Sequence, residues 1–491
     1  MKVTLIWPRL DRDTNFPPLG ILYTAAVLEK QGHKLLLIDG AIDKANLQKI
    51  TNFNPDIIGI STTTSLANNA KTAINTIKEQ IKKPIVLGGV HVTAMMKGIF
   101  DEFDVNYAVY GEGEYTMRDL CNNLEKTLPL EDIDGLMFKK DNTITVNKPR
   151  QLVEDLDALP FPARHLLDFS FYLAPPGPIR GEWMKHGGTT VMTSRGCPFQ
   201  CIYCGSQTTF GRRVRRRSVE NVIEEIQLLK KNYNIDGMWF VDDTFSLDKE
   251  WVLKFCNLLT NSKLKLKWAC HVRADTLSEE LLSAMKKAGC VQVELGVESG
   301  SDKVLKAIKK GTETETVEKA FRMIKKVGLS SLATFIIGSP EETKEDVLKT
   351  LEFAKKIKPD FALFFNLIPF PGTELYEMAK KNKWIHHEDY SKWLQFNEPV
   401  MTINFSKEEQ INLRNKLQDS FLLNNYRRLI FNPHIIFNIA LLSLQHPNAI
   451  IKGIKNFMDK KSFDAFVYGF LEEYRRKIKK KHEILISAKQ D

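Results

Sequence analysis

The 491-residue chain has no run of about 18 apolar residues, the length a helix needs to cross a bilayer, which excludes an integral multi-span membrane protein. Its first residues, MKVTLIWPRLDRDTNF, form one short apolar run followed by charges, without the long apolar core and small-residue cleavage site of a secretory leader. The expected location is therefore the cytoplasm. Cysteine is scarce, seven residues in all, and three of them (Cys197, Cys201 and Cys204) fall within eight positions. So few thiols, so unevenly placed, do not make a disulfide framework. They fit a reducing compartment and one dedicated thiolate site. There is no solenoid repeat and no low-complexity tract. A general excess of positive charge is missing too. Lys and Arg number 70 against 60 Asp and Glu, but residues 411–491 alone hold 15 basic against 7 acidic, so the body is close to neutral. A nucleic-acid-binding field over the whole molecule is not expected.

What is present is the composition of a folded chain, 43% hydrophobic and 26% charged. Its length suggests roughly three domains. Over residues 1–130, short apolar runs rich in β-branched residues (Val3–Trp7, Lys34–Ile38, Asp56–Ser61, Pro84–Gly88, Tyr107–Tyr110) alternate with helical periods such as Asn68–Ile81 and Glu114–Leu124. Continuous apolar strands separated by helices indicate a parallel sheet covered on both faces, so the first domain reads as a five-stranded, doubly wound, Rossmann-like unit. Residues 131–175 read as a hairpin turning at Asp141-Asn142 and a Pro/Gly-rich linker. Alternation then resumes. TTVMT, GMWFV, KWACHV, VQVELG, ATFIIG and FALFFN make six β/α units within residues 176–400, a partial (β/α)6 barrel whose site is expected at the carboxyl ends of its strands. Residues 401–491 lack strand signals and read as a helical, basic extension.

The strongest local signal is Thr193-Ser-Arg-Gly-Cys197-Pro-Phe-Gln-Cys201-Ile-Tyr-Cys204, directly after the first barrel strand. A compact loop can bring thiolates at spacings of four and three onto one face of a cubane, and sulfur ligands suit iron–sulfur clusters or zinc. A structural zinc takes four ligands, and no fourth Cys or His lies nearby in sequence. A cluster with one open iron is the better match; a zinc knuckle or merely buried cysteines is the bland alternative.

Cys-x3-Cys-x2-Cys with an aromatic before the last Cys, at the end of the first strand of six β/α units, resembles the radical S-adenosylmethionine (SAM) superfamily. The resemblance implies a [4Fe–4S] cluster on Cys197, Cys201 and Cys204, whose open iron chelates SAM. The cofactor then carries the hard chemistry, and the protein supplies orientation and exclusion of water and oxygen. It further implies that Tyr203 lies beside the adenine, that Asp242 and Asp243 stand near the methionyl amino group, that Arg273 pairs with the SAM carboxylate and that Glu298 accepts from the ribose. Gly338 with Pro340, and Pro369, Pro371 and Gly372, resemble the turns after the fifth and sixth strands. Phe365, Asn366 and Phe370 could shape a substrate pocket at the barrel mouth.

In the first domain, Pro18 and Gly20, Ser61 and Thr62, Gly88, Gly89 and His91, and Gly111 and Glu112 all fall at the carboxyl ends of strands, where open α/β sheets bind ligands. The Gly-x-Gly-x-x-Gly fingerprint is missing after the first strand, which disfavours a nicotinamide cofactor. The pattern is similar to the cobalamin-binding domain found upstream of a radical SAM core, in the group that includes the anaerobic Mg-protoporphyrin ester cyclase and cobalamin-dependent radical SAM methylases. Where such domains can carry Asp-x-His-x-x-Gly, this chain has Asp39-Gly-Ala41-Ile-Asp-Lys44, so no imidazole beneath the cobalt is expected from that loop. His91 could meet the corrin edge or serve as a structural hydrogen-bond partner.

The resemblance implies methylation of an unactivated carbon, with an oxidative cyclase of the same family as the first alternative and a non-catalytic metal-binding or redox-sensing protein as another. It implies a small-molecule substrate, lipidic or tetrapyrrole-like, and a reductant such as flavodoxin or ferredoxin. In the tail, the apolar segment Ile435–Leu444, about half a membrane span, is flanked by Arg427 and Arg428 and later lysines. This is either a helical cap on the barrel or a peripheral membrane contact. The run Arg212-Arg-Val-Arg-Arg-Arg217 could meet cofactor phosphates or carboxylates, or hold its loop by ion pairs.

Overall fold

The computed structural model describes residues 1–9, 16–141, 143–173, 188–395, 398–429 and 447–460. The first sheet is built from β1 (Lys2–Trp7), β2 (Lys34–Asp39), β3 (Ile57–Ser61), β4 (Ile85–Gly88), β5 (Tyr107–Val109), β6 (Leu136–Lys140) and β7 (Thr143–Val146), in the order β2-β1-β3-β4-β5-β6-β7. The five parallel strands match the sequence reading. The hairpin is not a separate element: β6 pairs antiparallel with β5, so it extends the sheet by two strands. Its turn falls where expected, with Asp141 in the left-handed region at φ 49°. Ile58, Ile60 and Leu87 point into one apolar layer, and Val3, Leu5 and Val86 into the layer on the opposite face. Burial on both faces explains why these strands read as unbroken apolar runs.

The second sheet contains β8 (Gly188–Val191), β11 (Gly237–Phe240), β12 (Lys267–Val272), β13 (Cys290–Glu298), β14 (Ser330–Ile337) and β15 (Phe361–Asn366), in the order β15-β14-β13-β12-β11-β8, all parallel. These are the six predicted units. Between β8 and β11 lies a ribbon too short to foresee, β9 (Ser194–Arg195) against β10 (Arg215–Arg216). Alternate residues of the barrel strands, such as Trp268, Cys270, Val272, Phe335 and Phe364, enter a large core under the surrounding helices, and their neighbours face the lumen.

The segment 151–173 straps the two halves together. Val153, Leu156 and Leu159 pack on Tyr23 and Val27 of the first domain, and Arg164 inserts toward the barrel helix Val219–Tyr233. Residues 174–187, and the apolar segment Ile435–Leu444, lie outside the described residues. Helix Lys407–Leu429 covers β15, with Leu417 and Phe421 in the barrel core. No helix among the described residues is long and apolar enough to cross a membrane.

Candidate functional site

A cavity of about 390 Å³ lies between the carboxyl ends of the first sheet and the barrel. Eight of the residues read from the sequence line it: Pro18, Gly20, Ser61, Thr62, Gly88, Gly89, Gly111 and Glu112. The opposite wall comes from the barrel side, through Met192, Arg195, Thr209, Phe210 and Val241. Gly20 faces open space, with nothing within 4 Å of where a Cβ would stand. Gly89 is different. At φ 102° it begins the helix Val90–Met95, and a Cβ there would lie 2.4 Å from the Thr62 carbonyl oxygen. The turn after β4 thus presses against the turn after β3, and only glycine permits the approach.

Two of the expected residues are not brought to this cavity. Asp39 ends β2 at the sheet edge and accepts from Arg9 at 2.7 Å. His91 is fully buried, with Nδ1 3.2 Å from Thr64 Oγ1 and Nε2 3.4 Å from Glu102 Oε2, and its ring packs edge-on against Phe103 and Tyr390. Both nitrogens are taken, so the structural role is the one its geometry supports.

The barrel wall is held by charge. Glu112 and Glu114 follow β5. Arg195 Nη1 donates to Glu112 at 2.9 Å and Nη2 to Glu114 at 2.6 Å, while Arg215 Nη1 donates to Glu112 at 2.7 Å and to the Val153 carbonyl. All four side chains are buried. Burial alone would raise the Glu112 carboxyl, but Arg215 and Arg195 outweigh it and hold it below the usual range. A second buried set lies beside it: Arg164 and Arg217 both clasp Glu225. Within the arginine run after the cysteine loop, Arg213, Arg215 and Arg217 form ion pairs, whereas Arg216 lies over the Trp251 ring and donates to the Phe245 carbonyl. Arg195 also lies over the rings of Tyr23 and Phe210.

This framework positions the cysteine loop. Asp242, buried after β11, accepts from the Thr193 and Ser194 backbone amides and from the Thr193 hydroxyl at 2.6–2.7 Å, fixing the chain as it leaves β8. Gly196, at φ 95°, passes so close to Arg213 that a Cβ would stand 2.3 Å from its carbonyl oxygen. Ile202 is buried with Leu305, Ile308 and Leu375, and its backbone bonds to Ile308 and Leu375. The three cysteines stay half-buried and free. Burial raises the Cys197 thiol and pushes Cys204 up to about 11, with neighbouring Asp243 adding to both. A cationic acceptor such as iron is what would make these sulfurs thiolates. Among the described residues no three metal-ligand side chains converge on one ion position. Thiolates on separate irons of a cubane need no such convergence.

Around the loop stand the other expected residues. Asp243 accepts from the Ser206 hydroxyl, and burial raises its carboxyl. Arg273, after β12, forms two hydrogen bonds to Asp275 and lies flat on the Phe199 ring, 3.4 Å from its centroid. Glu298 ends β13 past a register shift at Gly296, which re-aims its side chain. It sits at φ 66°, a strained conformation for glutamate. Lys310, missed in the sequence, donates to Glu298 at 2.7 Å and accepts from Arg273 through its carbonyl at 3.1 Å. Burial, then Glu298, raises the Tyr203 hydroxyl. Tyr203, Arg273, Glu298 and Lys310 thus form one connected group. Gly338 stands apart: the space beside it is filled by Gln410, and its amide donates to Glu342.

Comparison with known proteins places the chain among relatives. Residues 191–354 match the model of the Radical SAM superfamily, and residues 10–121 match that of the B12 binding domain. The chain is 36% identical over 436 residues to an uncharacterized methyltransferase of Pyrococcus horikoshii, covering 86% of this chain and 93% of that one. It is 28% identical to the anaerobic magnesium-protoporphyrin IX monomethyl ester cyclase of Rubrivivax gelatinosus, covering 85% and 74%. Among solved structures, the cobalamin-dependent S-adenosylmethionine radical enzyme OxsB, with aqua-cobalamin and S-adenosylmethionine bound, superposes with a TM-score of 0.71 at 20% identity, over 97% of this chain and 75% of that one.

Proposed function

We propose that this chain, which belongs to the cobalamin-binding radical SAM family, methylates an unactivated carbon of a small molecule. The cofactors of the family are a [4Fe–4S] cluster, SAM and cobalamin, which when bound supply a reductively generated adenosyl radical and a transferable methyl group. The residues present fit them. Three free thiols occupy one loop, glycine turns leave a cradle at the sheet's carboxyl end, and Thr209 Oγ1, Arg195 Nε and Glu114 Oε2, on residues of that wall, are buried without partners. Cys197, Cys201 and Cys204 would hold the cluster. Arg273, Asp243, Glu298 and Tyr203 would orient SAM. The turns at Pro18–Gly20, Ser61–Thr62, Gly88–Gly89 and Gly111 would cradle the corrin.

One observation carries the reading: Arg195 and Phe210, which flank the cysteine loop, are also a wall of the cobalamin-side cavity. A methyl carrier and a radical source would then face the same space. The magnesium-protoporphyrin relative supports oxidative cyclisation as the second reading. Methyl-labelled SAM separates them. Anaerobically reconstituted enzyme with dithionite, cobalamin and a metabolite extract should yield 5′-deoxyadenosine, S-adenosylhomocysteine and a labelled product. Deoxyadenosine with an unlabelled product means cyclisation or rearrangement. An iron-free, colourless protein, or one holding zinc on those sulfurs, removes both readings.

The same reading places the enzyme in the cytoplasm, with an acidic reductant such as flavodoxin or ferredoxin and no nucleic acid. Ile451, Ile454 and Met458 recur along the helix Pro447–Lys460 and are 47–70% exposed, which supports a peripheral contact with a lipidic surface or substrate.

A further inference from the structure

Lys310 touches both sides of the barrel mouth, one with its side chain and one with its backbone. It lies just past the helix Asp302–Ala307. The Lys309 amide donates to the Lys306 carbonyl at 3.0 Å and the Lys310 amide to the Leu305 carbonyl at 2.9 Å, the paired bonds of a Schellman stop. Lys309 takes its left-handed position, at φ 52°, which glycine usually fills. The turn sends the two lysines apart. Lys309 reaches outward to Glu374 with both side chains half exposed, whereas Lys310 reaches inward to Glu298 with both only 8% exposed. Lys310 Nζ donates to Glu298 Oε1 at 2.7 Å, so the other oxygen, Oε2, is the one a ligand can meet. A Cβ on Gly296 would stand 2.3 Å from that Oε1 and 3.0 Å from Nζ, so the pair fills the space this glycine leaves. Glu298 itself is held at φ 66°, a conformation that persists only where the surroundings impose it. The Lys310 carbonyl accepts from Arg273 Nη2 at 3.1 Å.

We propose that Lys310 is a positioning residue for nucleoside recognition: its ammonium, seated over Gly296, aims Glu298 so that Oε2 accepts from a ribose hydroxyl of SAM, and the site thereby selects ribose over deoxyribose. The inference rests on the radical SAM reading, in which Glu298 meets the ribose and Arg273 the carboxylate. A substitution at Lys310 removes the ammonium but not the carbonyl. Its loss is therefore felt at the ribose half of the ligand and spares the carboxylate half. A buried pair that merely held the loop in place would keep or lose both halves together.

The test is calorimetric titration of the full-length, anaerobically reconstituted enzyme, without reductant. The ribose half is read with 5′-deoxyadenosine against its 2′- and 3′-deoxy analogues, methionine being present, and the carboxylate half with SAM against decarboxylated SAM. In the wild type 5′-deoxyadenosine should bind about tenfold tighter than at least one analogue, the worth of one hydrogen bond to a charged acceptor. Lys310→Met should lower that ratio to about twofold, while SAM keeps its full advantage over decarboxylated SAM. This variant leaves Glu298 buried without its cation, so iron content reports whether it has folded. Glu298→Gln removes the charge as well, and adding Lys310→Met to it should weaken 5′-deoxyadenosine no further, since a residue that acts through another does not add to its loss. A further loss in the double variant overturns the proposal, and decides the matter where the single variant holds no iron. So do a tenfold ratio kept in Lys310→Met, loss of both ratios together, or no ribose preference in the wild type. Formation of 5′-deoxyadenosine from SAM with dithionite is scored separately. A wild type that forms none and binds no nucleoside removes the radical reading itself, whereas one that cleaves SAM but keeps its ribose preference in Lys310→Met removes this inference alone.

Discussion

The two walls of the central cavity are built on opposite principles. On the first-domain side the rim is backbone, glycines and short hydroxyl residues at the ends of parallel strands, over apolar side chains that include Leu5, Trp7, Ile60 and Met117. On the barrel side the surface is held by buried charge, with Arg195 and Arg215 on Glu112 and Glu114, backed by Arg164 and Arg217 on Glu225. A large flat ligand needs close approach to backbone, which glycine supplies. A cysteine loop needs a fixed origin, and here paired charges from sequence-distant segments supply it. Glu112 belongs to both walls. It ends the turn after β5 and also ties the first domain to the strand that carries the loop.

The sharpest way to break the charged wall is Arg195→Met. Removing one partner of a buried network leaves the others uncompensated, at a cost of about 3–5 kcal/mol. Chemical denaturation should show that loss, and the reconstituted variant should hold less iron because the loop starts two residues later. If stability changes by less than about 1 kcal/mol, the network is not what fixes the loop.

The backbone wall is broken more gently. Gly89→Ala places a methyl against the Thr62 carbonyl at a positive φ, and should cost about 3 kcal/mol together with much of the cobalamin affinity. Gly20→Ala is the control, since its Cβ would meet nothing within 4 Å of protein. Should it weaken cobalamin binding without loss of stability, that open space is where the corrin comes closest. Absorbance titration of each full-length variant with aquacobalamin reads both.

How much of this was legible in the sequence follows from the same contrast. The backbone wall was largely readable, because parallel strands announce themselves as apolar runs and the cavity-lining glycines follow them directly. The cysteine loop was readable because its three thiols lie within eight positions of the chain. The charged wall was not. Arg195 and Arg215 lie 83 and 103 residues from Glu112, and nothing in a run of arginines says which glutamate, or which cofactor, it will meet. The ribbon β9–β10 has two residues per strand, too few for any period to show. His91 misled for a local reason. It follows the glycine pair, yet the helix beginning at Val90 turns its ring away from the cavity to Thr64 and Glu102. Lys310 was invisible because its partners, Glu298 and Arg273, become neighbours only through the barrel.

The smallest effect tests whether pairing, rather than burial as such, keeps the carboxylates of the barrel charged. Glu342 is 1% exposed, like Glu225, but has no arginine: one oxygen accepts from the Gly338 and Ser339 amides and the other has no partner. Burial, only partly offset by those amides, pushes its carboxyl up to about 7 from an ordinary 4.5. The folded state therefore holds this proton more tightly than the unfolded chain. The stabilisation is complete below about pH 4.5 and is lost as pH rises through 7, a change of about 3 kcal/mol. Glu342→Gln retains an amide-accepting oxygen and removes the titration. Its melting temperature relative to the wild type should climb between pH 5 and pH 8, whereas a difference flat across that window would mean that the two backbone amides alone suffice to hold the charge.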